Sequence, residues 1–392
     1  MKKIFLINGH RTGLIMKDLS NYWFGIPAIT KYKFLLDSLV ARNDVELFNL
    51  VTEEGSSMPH GLKTKYFSFI ESKYILHKNG YGDKIKTIMY PYDVSPEDSV
   101  WSFVHVWDTS NILKELNSIH KVIMLNQFNF HSVQEIESVT EYATDFVFEA
   151  NVFQPNGLIF QYKLPKNYKF HLLPYAVADR FTDHNLFFNR KKKAIATGTL
   201  ARCNNSMHIN YFGTNLCHKM RKLIFDNKDN LKEYVDSFIT PFYENSKMKN
   251  DGPNSSKIRH FYNLFYNLFV AKAGSQKKYF SFDIVKKYNE YQMAIVPEEI
   301  VGAPAIGAFE CMACGCAMIG IDSYMYRDLG LIPNKHYVSY DGTIDGLKNV
   351  ICYYQQHQEE LAQIAMEGHK FVLTNMKSDR LKKRFYEIFD LK

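Results

Sequence analysis

Apolar and polar positions alternate along the chain in two rhythms, short apolar runs that read as strands and longer stretches with apolar residues at helical spacing. Lys3 to Asn8 is a strand ending in the polar, glycine-containing turn Asn8-Gly9-His10-Arg11, and Pro27 to Val40 carries a helical pattern before Val45 to Val51 returns as a strand. Val100 to Val106 and Lys121 to Leu125 are short buried strands, each followed by polar residues, Trp107-Asp108-Thr109 and Asn126-Gln127-Phe128-Asn129. Asp145 to Glu149 and Tyr168 to Leu173 complete the first half. Strands alternating with helices over this length predict a parallel, doubly wound sheet. Ligands of such sheets bind beyond the carboxyl ends of the strands, where the polar turns lie.

The pattern restarts after the polar, basic segment Asn185 to Lys193, with Ala194 to Leu200 as a strand running into a glycine turn. The expected domains are therefore 1–186, 187–375 and a closing helix at 376–392 that can cross back to the first. Between Asn204 and Lys278 the chain is hard to read; helices are expected around Gly213 to Phe225 and Ile258 to Ala271. The aromatics Phe261, Tyr262, Phe265, Tyr266 and Phe269 fall at helical spacings, as packing residues do. From Phe282 the pattern is clear again: a helix to Glu290, a strand Met293 to Pro297, a helix Gly307 to Gly315, a strand Ala317 to Ile321, and amphipathic helices Glu359 to Asn375 and Asp379 to Asp390. No solenoid repeat is present.

Composition narrows the picture. With 392 residues and 46% hydrophobic content, the chain can bury two ordinary cores. No run of roughly 18 apolar residues occurs, and the Met-Lys-Lys start is read as the approach to a strand, so a cytoplasmic protein is expected, with peripheral contact at the membrane face open to it. The net charge of +7 is modest but concentrated at Arg190-Lys-Lys-Lys193 and Lys377 to Arg384, which suits either solvated surface or an anionic partner. Nucleic-acid modules are not visible. Of the six cysteines, Cys311, Cys314 and Cys316 lie close together, but no second ligand cluster accompanies them and their surroundings are small and apolar. They are read as packing residues, with no metal and no cofactor expected.

The most informative segment runs from Val296 to Gly320, with Phe309-Glu310-Cys-Met-Ala-Cys-Gly315 at its centre. It resembles the donor-binding signature of retaining GT-B glycosyltransferases, a glycine-containing loop before a helix reading Glu-Ala-Met-Ala-x-Gly and a following strand. Phe170 to Phe181 resembles the segment that ends the first domain in that family, and Lys193 to Arg202 resembles the first strand and turn of its donor domain. The resemblance implies an α/β fold of GT-B type, two Rossmann-like domains facing a cleft. It implies Glu310 as the ribose-binding carboxylate, with Ala305, Ile306 and Gly307 approaching the donor phosphates by backbone at a helix N-terminus. Gly198, Thr199 and Arg202 become candidates for the phosphates. The family's other glutamate, eight positions before Glu310, is replaced by Gly302, so Glu298 or Glu299 would have to reach the sugar, and Glu299 is the candidate.

Catalytic residues are expected on first-domain loops. His10 and Glu149 are the candidates for acting on a hydroxyl or the anomeric carbon. Arg11, His105 and Asp108 are placed for the acceptor or a phosphate, and His131 sits similarly after Asn129. Together these readings imply transfer of a sugar from a nucleotide-sugar donor, either a nucleoside-diphosphate sugar or a cytidine-monophosphate sugar acid such as CMP-Kdo. The acceptor would be a growing bacterial surface glycan (lipopolysaccharide, O-antigen or capsule), free or lipid-linked, with no nucleic acid involved. A sugar-nucleotide epimerase and a non-catalytic nucleotide-sugar-binding protein are the alternatives.

Overall fold

The computed structural model describes residues 2–7, 33–51, 65–103, 109–125, 141–150, 169–202, 209–210, 212–241 and 282–391. The chain forms two compact units, Met1–Val177 with Thr374–Lys392, and Ala178–Asn204 with Ile209–Leu373. The division falls at Val177, before the stretch at 187 where the apolar pattern restarts. The residues between already serve the second unit: Asp183 and Asn185 bind the guanidinium of Arg190, and His184 and Asn185 bond Asn289.

The first unit is built on β1 (Lys2–Ile7), β2 (Val45–Val51), β3 (Ile85–Met89), β4 (Ser99–Phe103), β5 (His120–Leu125), β6 (Asp145–Phe148) and β7 (Lys169–Leu172). Its described helices are α1 (Lys33–Val40), α2 (Lys65–Lys78) and α3 (Thr109–Glu115). All strand pairs are parallel, in the order β3-β2-β1-β4-β5-β6-β7. Central strands covered on both faces need apolar residues throughout, and Ile4 to Ile7, Val122, Ile123 and Phe146 to Phe148 are fully buried. The helix α2 mixes its faces: Ser68, Glu71 and Ser72 are buried with Ile75 and Leu76, whereas Tyr66, Ile70 and Tyr74 face outward. The last helix of the chain, Ser378–Ile388, belongs to this unit, where Phe385 packs edge-on against Trp101 at 4.9 Å between ring centroids. Burying such a ring contributes about 1.5 to 3 kcal/mol.

The second unit holds β8 (Lys191–Leu200), β9 (Val235–Pro241), β10 (Tyr291–Ile295), β11 (Ala317–Ile321) and β12 (Val338–Tyr340) in the parallel order β12-β11-β10-β8-β9. Its described helices are α4 (Lys219–Asp226), α5 (Ile284–Glu290), α6 (Ile306–Ala313), α7 (Tyr324–Asp328), α8 (Ile344–Gln356) and α9 (Gln358–Asn375), whose last two residues enter the first unit; the closing helix is α10. The helix expected from Gly213 starts only at Lys219, because residues 213–218 run beside the exit of β8, with Cys217 N–H on Ala201 O at 3.0 Å. The helix expected at Ile258 to Ala271, with its aromatic stripe, lies outside the described residues.

Strand order in the second sheet reverses between β8 and β10, the first and third strands of the unit. This is the place where a doubly wound sheet opens a crevice beyond its carboxyl ends.

Candidate functional site

Two helices start at that crevice, and both start without a cap. His218 at the N-cap of α4 and Ala305 at the N-cap of α6 make no side-chain cap bond, and neither first turn holds an acidic residue. Elsewhere in the unit, Asp283 caps α5, Ser323 caps α7 and Thr343 caps α8. A helix start that its own residues do not neutralise keeps N–H donors and a positive dipole end for an outside anion.

A cation stands at the same place. The Arg221 guanidinium of α4 lies against Gly198, donating from Nη1 to Thr199 O at 3.2 Å. Gly198 has φ +133°, and a Cβ on it would come within 2.6 Å of Arg221 Nε, so only glycine admits the arginine here. Thr199 is half-buried and Arg202 is exposed, bridged to Leu216.

The loop from β10 to α6 is pinned from both sides. Glu298 is buried and accepts from Ile321 N–H at 2.9 Å and from Tyr326 O–H at 3.0 Å. Burial pushes its carboxyl up to about 6, against the pull of those donors and of Arg221. A Cβ at position 320 would lie 2.7 Å from Glu298 Oε1, so Gly320 makes room for the carboxylate. Glu299, expected at the donor, turns inward instead: its Oε1 is 3.2 Å from His218 Nε2, and its side chain is 2% exposed. Burial of an unpaired carboxylate costs far more than pairing it with an imidazole, which fixes this orientation.

Glu310 is partly buried on the second turn of α6, not the first, beyond the reach of a simple macrodipole role. Gly307 packs inward, since a Cβ there would come within 3.0 Å of Val296 Cγ1; any approach to a ligand by this segment is through backbone N–H groups. The Cys311 thiol donates to Ala308 O and the Cys316 thiol to Tyr288 O. Burial raises Cys311, Cys314 and Cys316, Cys314 up to about 12, so all three are protonated packing groups at neutral pH.

The basic run at 190–193 is not one surface. Arg190 is buried and pairs with Asp183 at 2.6 Å, also reaching Cys314 O at 2.9 Å. Lys191, Lys192 and Lys193 line an open depression of about 550 Å³ with Glu233, Asp236 and Gln355, at the amino ends of β8 and β9. That is the edge opposite to the crevice.

In the first unit, Glu149 follows the carboxyl end of β6, buried, and accepts from Tyr175 O–H at 2.5 Å. His10, Arg11, His105, Asp108 and His131 lie outside the described residues. His218 and Arg221 were missed in the sequence, because both fall in the stretch without a legible pattern; only the strand pairing brings them beside Glu299 and Gly198.

Residues 270–385 match a family model described as glycosyl transferase-like. The whole chain aligns with solved glycosyltransferases at low identity. Sucrose-phosphate synthase from Thermosynechococcus elongatus gives a TM-score of 0.55 at 11% identity, covering 100% of this chain and 98% of that one. HepE of Anabaena, solved in complex with UDP, gives 0.52 at 10%, covering 100% of both. A glycosyltransferase of Rickettsia africae ESF-5 gives 0.51 at 13%, covering 99% and 98%. Residues 270–385 thus resemble a glycosyl transferase-like domain, and the chain has a GT-B fold. Among curated proteins, none matches the sequence. No helix among the described residues is long and apolar enough to cross a membrane.

Proposed function

We propose that the Ala178–Leu373 unit binds a nucleotide-sugar donor at the carboxyl ends of β8 and β10, and that the sugar passes to a growing bacterial surface glycan held by the first unit. The observation that carries this reading is the selective capping: the two helices at the switch point start without a side-chain cap, whereas α5, α7 and α8 are capped. Their N–H groups and Arg221 suit a phosphate, and Glu310 suits ribose hydroxyls by accepting charge-assisted hydrogen bonds. Thr199, Arg202 and the backbone of Ala305, Ile306 and Gly307 surround the phosphates. HepE was solved with UDP and with UDP and glucose, which makes UDP the first nucleotide to try and CMP the second.

The leaving phosphate is stabilised by these fixed donors, so transfer proceeds without a divalent metal and persists in EDTA. The anomeric configuration is retained, with Glu149 and His10 acting on the sugar and the acceptor hydroxyl. The reaction takes place in the cytoplasm, with a lipid-linked acceptor reached by peripheral contact at the membrane face.

A thermal-shift series with UDP, GDP and CMP tests the donor site. A nucleotide at a hundred times its Kd stabilises the folded chain by about 2.7 kcal/mol, and UDP is expected to do so. If none of the three raises Tm, the donor reading is wrong. Product analysis separates the alternatives, because an epimerase converts a UDP-sugar without any acceptor and a binding protein leaves it unchanged.

A further inference from the structure

We propose that His218 is a positioning residue for the donor site, an imidazolium that staples the β10–α6 loop to the start of α4. The effect on donor binding rests on the donor reading above; the staple rests on geometry alone. Nδ1 of His218 lies 3.0 Å from Glu298 O, and Nε2 lies 3.2 Å from Glu299 Oε1. A carbonyl and a carboxylate oxygen only accept hydrogen bonds, so with Glu299 ionised each ring nitrogen carries a proton. A neutral imidazole has one N–H, and either tautomer would set two buried acceptors face to face. The doubly protonated ring satisfies both contacts, with Glu299 as its counter-ion.

A third bond completes the staple, Ile300 N–H donating to Cys217 O at 2.7 Å. Two consecutive residues before α4 thus hold three consecutive residues of the loop that delivers α6. His218 occupies an N-cap position but caps nothing; its ring is used for this tie instead. Among the described residues, the charged and titratable groups gathered at this place include Glu298 and Glu299 from the loop, Arg221 from α4 and Tyr326 from α7, with Glu298 bound by Tyr326 and drawn by Arg221. Two carboxylates and two cations close the β8 and β10 ends together, which fixes the start of α6 relative to that of α4.

When rising pH removes the second imidazole proton, one of the two ring contacts becomes repulsive and the loop loosens. Glu299→Gln changes the rule, since an amide N–H can donate to a neutral Nε2 while Nδ1–H keeps Glu298 O.

The test measures amide hydrogen exchange across residues 297–305 of the full chain, corrected for intrinsic rates, beside the Kd for UDP, each between pH 6 and pH 9. In the wild type, exchange in this loop is expected to speed up about tenfold at high pH as local opening becomes easier, with UDP weakening in parallel. His218→Ala should exchange about tenfold faster at all pH values, and Glu299→Gln should lose the pH dependence. Identical pH profiles in Glu299→Gln and the wild type would overturn the staple. Should His218→Ala fail to fold, Glu299→Gln alone carries the decision. If UDP does not bind at all, the donor reading fails, and the exchange profile still decides the staple.

Discussion

The two edges of the second sheet carry similar numbers of charges and use them differently. At the amino edge, Lys193 and Lys191 reach Asp236 at 3.2 and 3.8 Å, with Tyr291 O–H at 2.6 Å, around an open depression. Although partial burial works against it, the Tyr291 hydroxyl and the lysines hold the Asp236 carboxyl below its usual range. At the carboxyl edge, His218, Arg221, Glu298 and Glu299 are buried; His218 pairs with Glu299, and His218, Arg221 and Glu298 bond backbone. Exposed pairs exchange one set of water contacts for another and contribute little. Buried ones have no such exchange open to them, so they fix loops in place.

Substitutions can break that contrast. Gly198→Ala should have the largest effect, about 3 kcal/mol by urea unfolding, because the new Cβ meets Arg221 at a φ that other residues resist. A loss below 1 kcal/mol would mean the arginine is not held there. Glu310→Gln should weaken UDP by about 1.5 to 3 kcal/mol in calorimetry with Tm preserved; unchanged affinity would remove Glu310 from the site.

Glu298 gives a pH signature of comparable size. Its folded value near 6 stands above the ordinary 4.5, so the folded state holds its proton longer than the unfolded chain. Its contribution to stability is full below pH 4.5 and falls away as pH rises to about 6, by about 2 kcal/mol. Glu298→Gln should flatten that part of the stability curve, and a curve of wild-type shape would contradict the burial. In the first unit, Glu149→Gln should lower turnover at least about tenfold while UDP affinity holds; wild-type turnover would place the chemistry elsewhere. The smallest effect belongs to the amino edge: Asp236→Asn should cost about 0.5 kcal/mol and leave UDP binding alone.

How far the sequence could be read follows from where each strand lies. Every strand inside the two sheets, such as β1, β5, β8 and β11, has a matching apolar run, since a strand buried on both faces needs one. The unread strands β3, β9 and β12 are edge strands, half covered, with sequences such as Ile-Lys-Thr-Ile-Met that mix polar and apolar residues. The helix α2 escaped because its buried face mixes Ser68, Glu71 and Ser72 with Ile75 and Leu76, while Tyr66, Ile70 and Tyr74 are exposed. At the candidate site, the motif around Glu310 pointed to the β10–α6 loop, but the inward turn of Glu299 depends on His218, eighty-one positions away in sequence, and no local pattern carries that information.

The return of α10 to the first unit bears on how the chain is made. Trp101 is covered by Phe385 and Phe389, and Lys2 donates to Phe389 O at 3.2 Å. During synthesis the first core stays open until α10 has left the ribosome, after the last residues of the second unit. Folding order is thus reversed relative to the order of translation, and the long-range closure of the first unit is the slow, aggregation-exposed step.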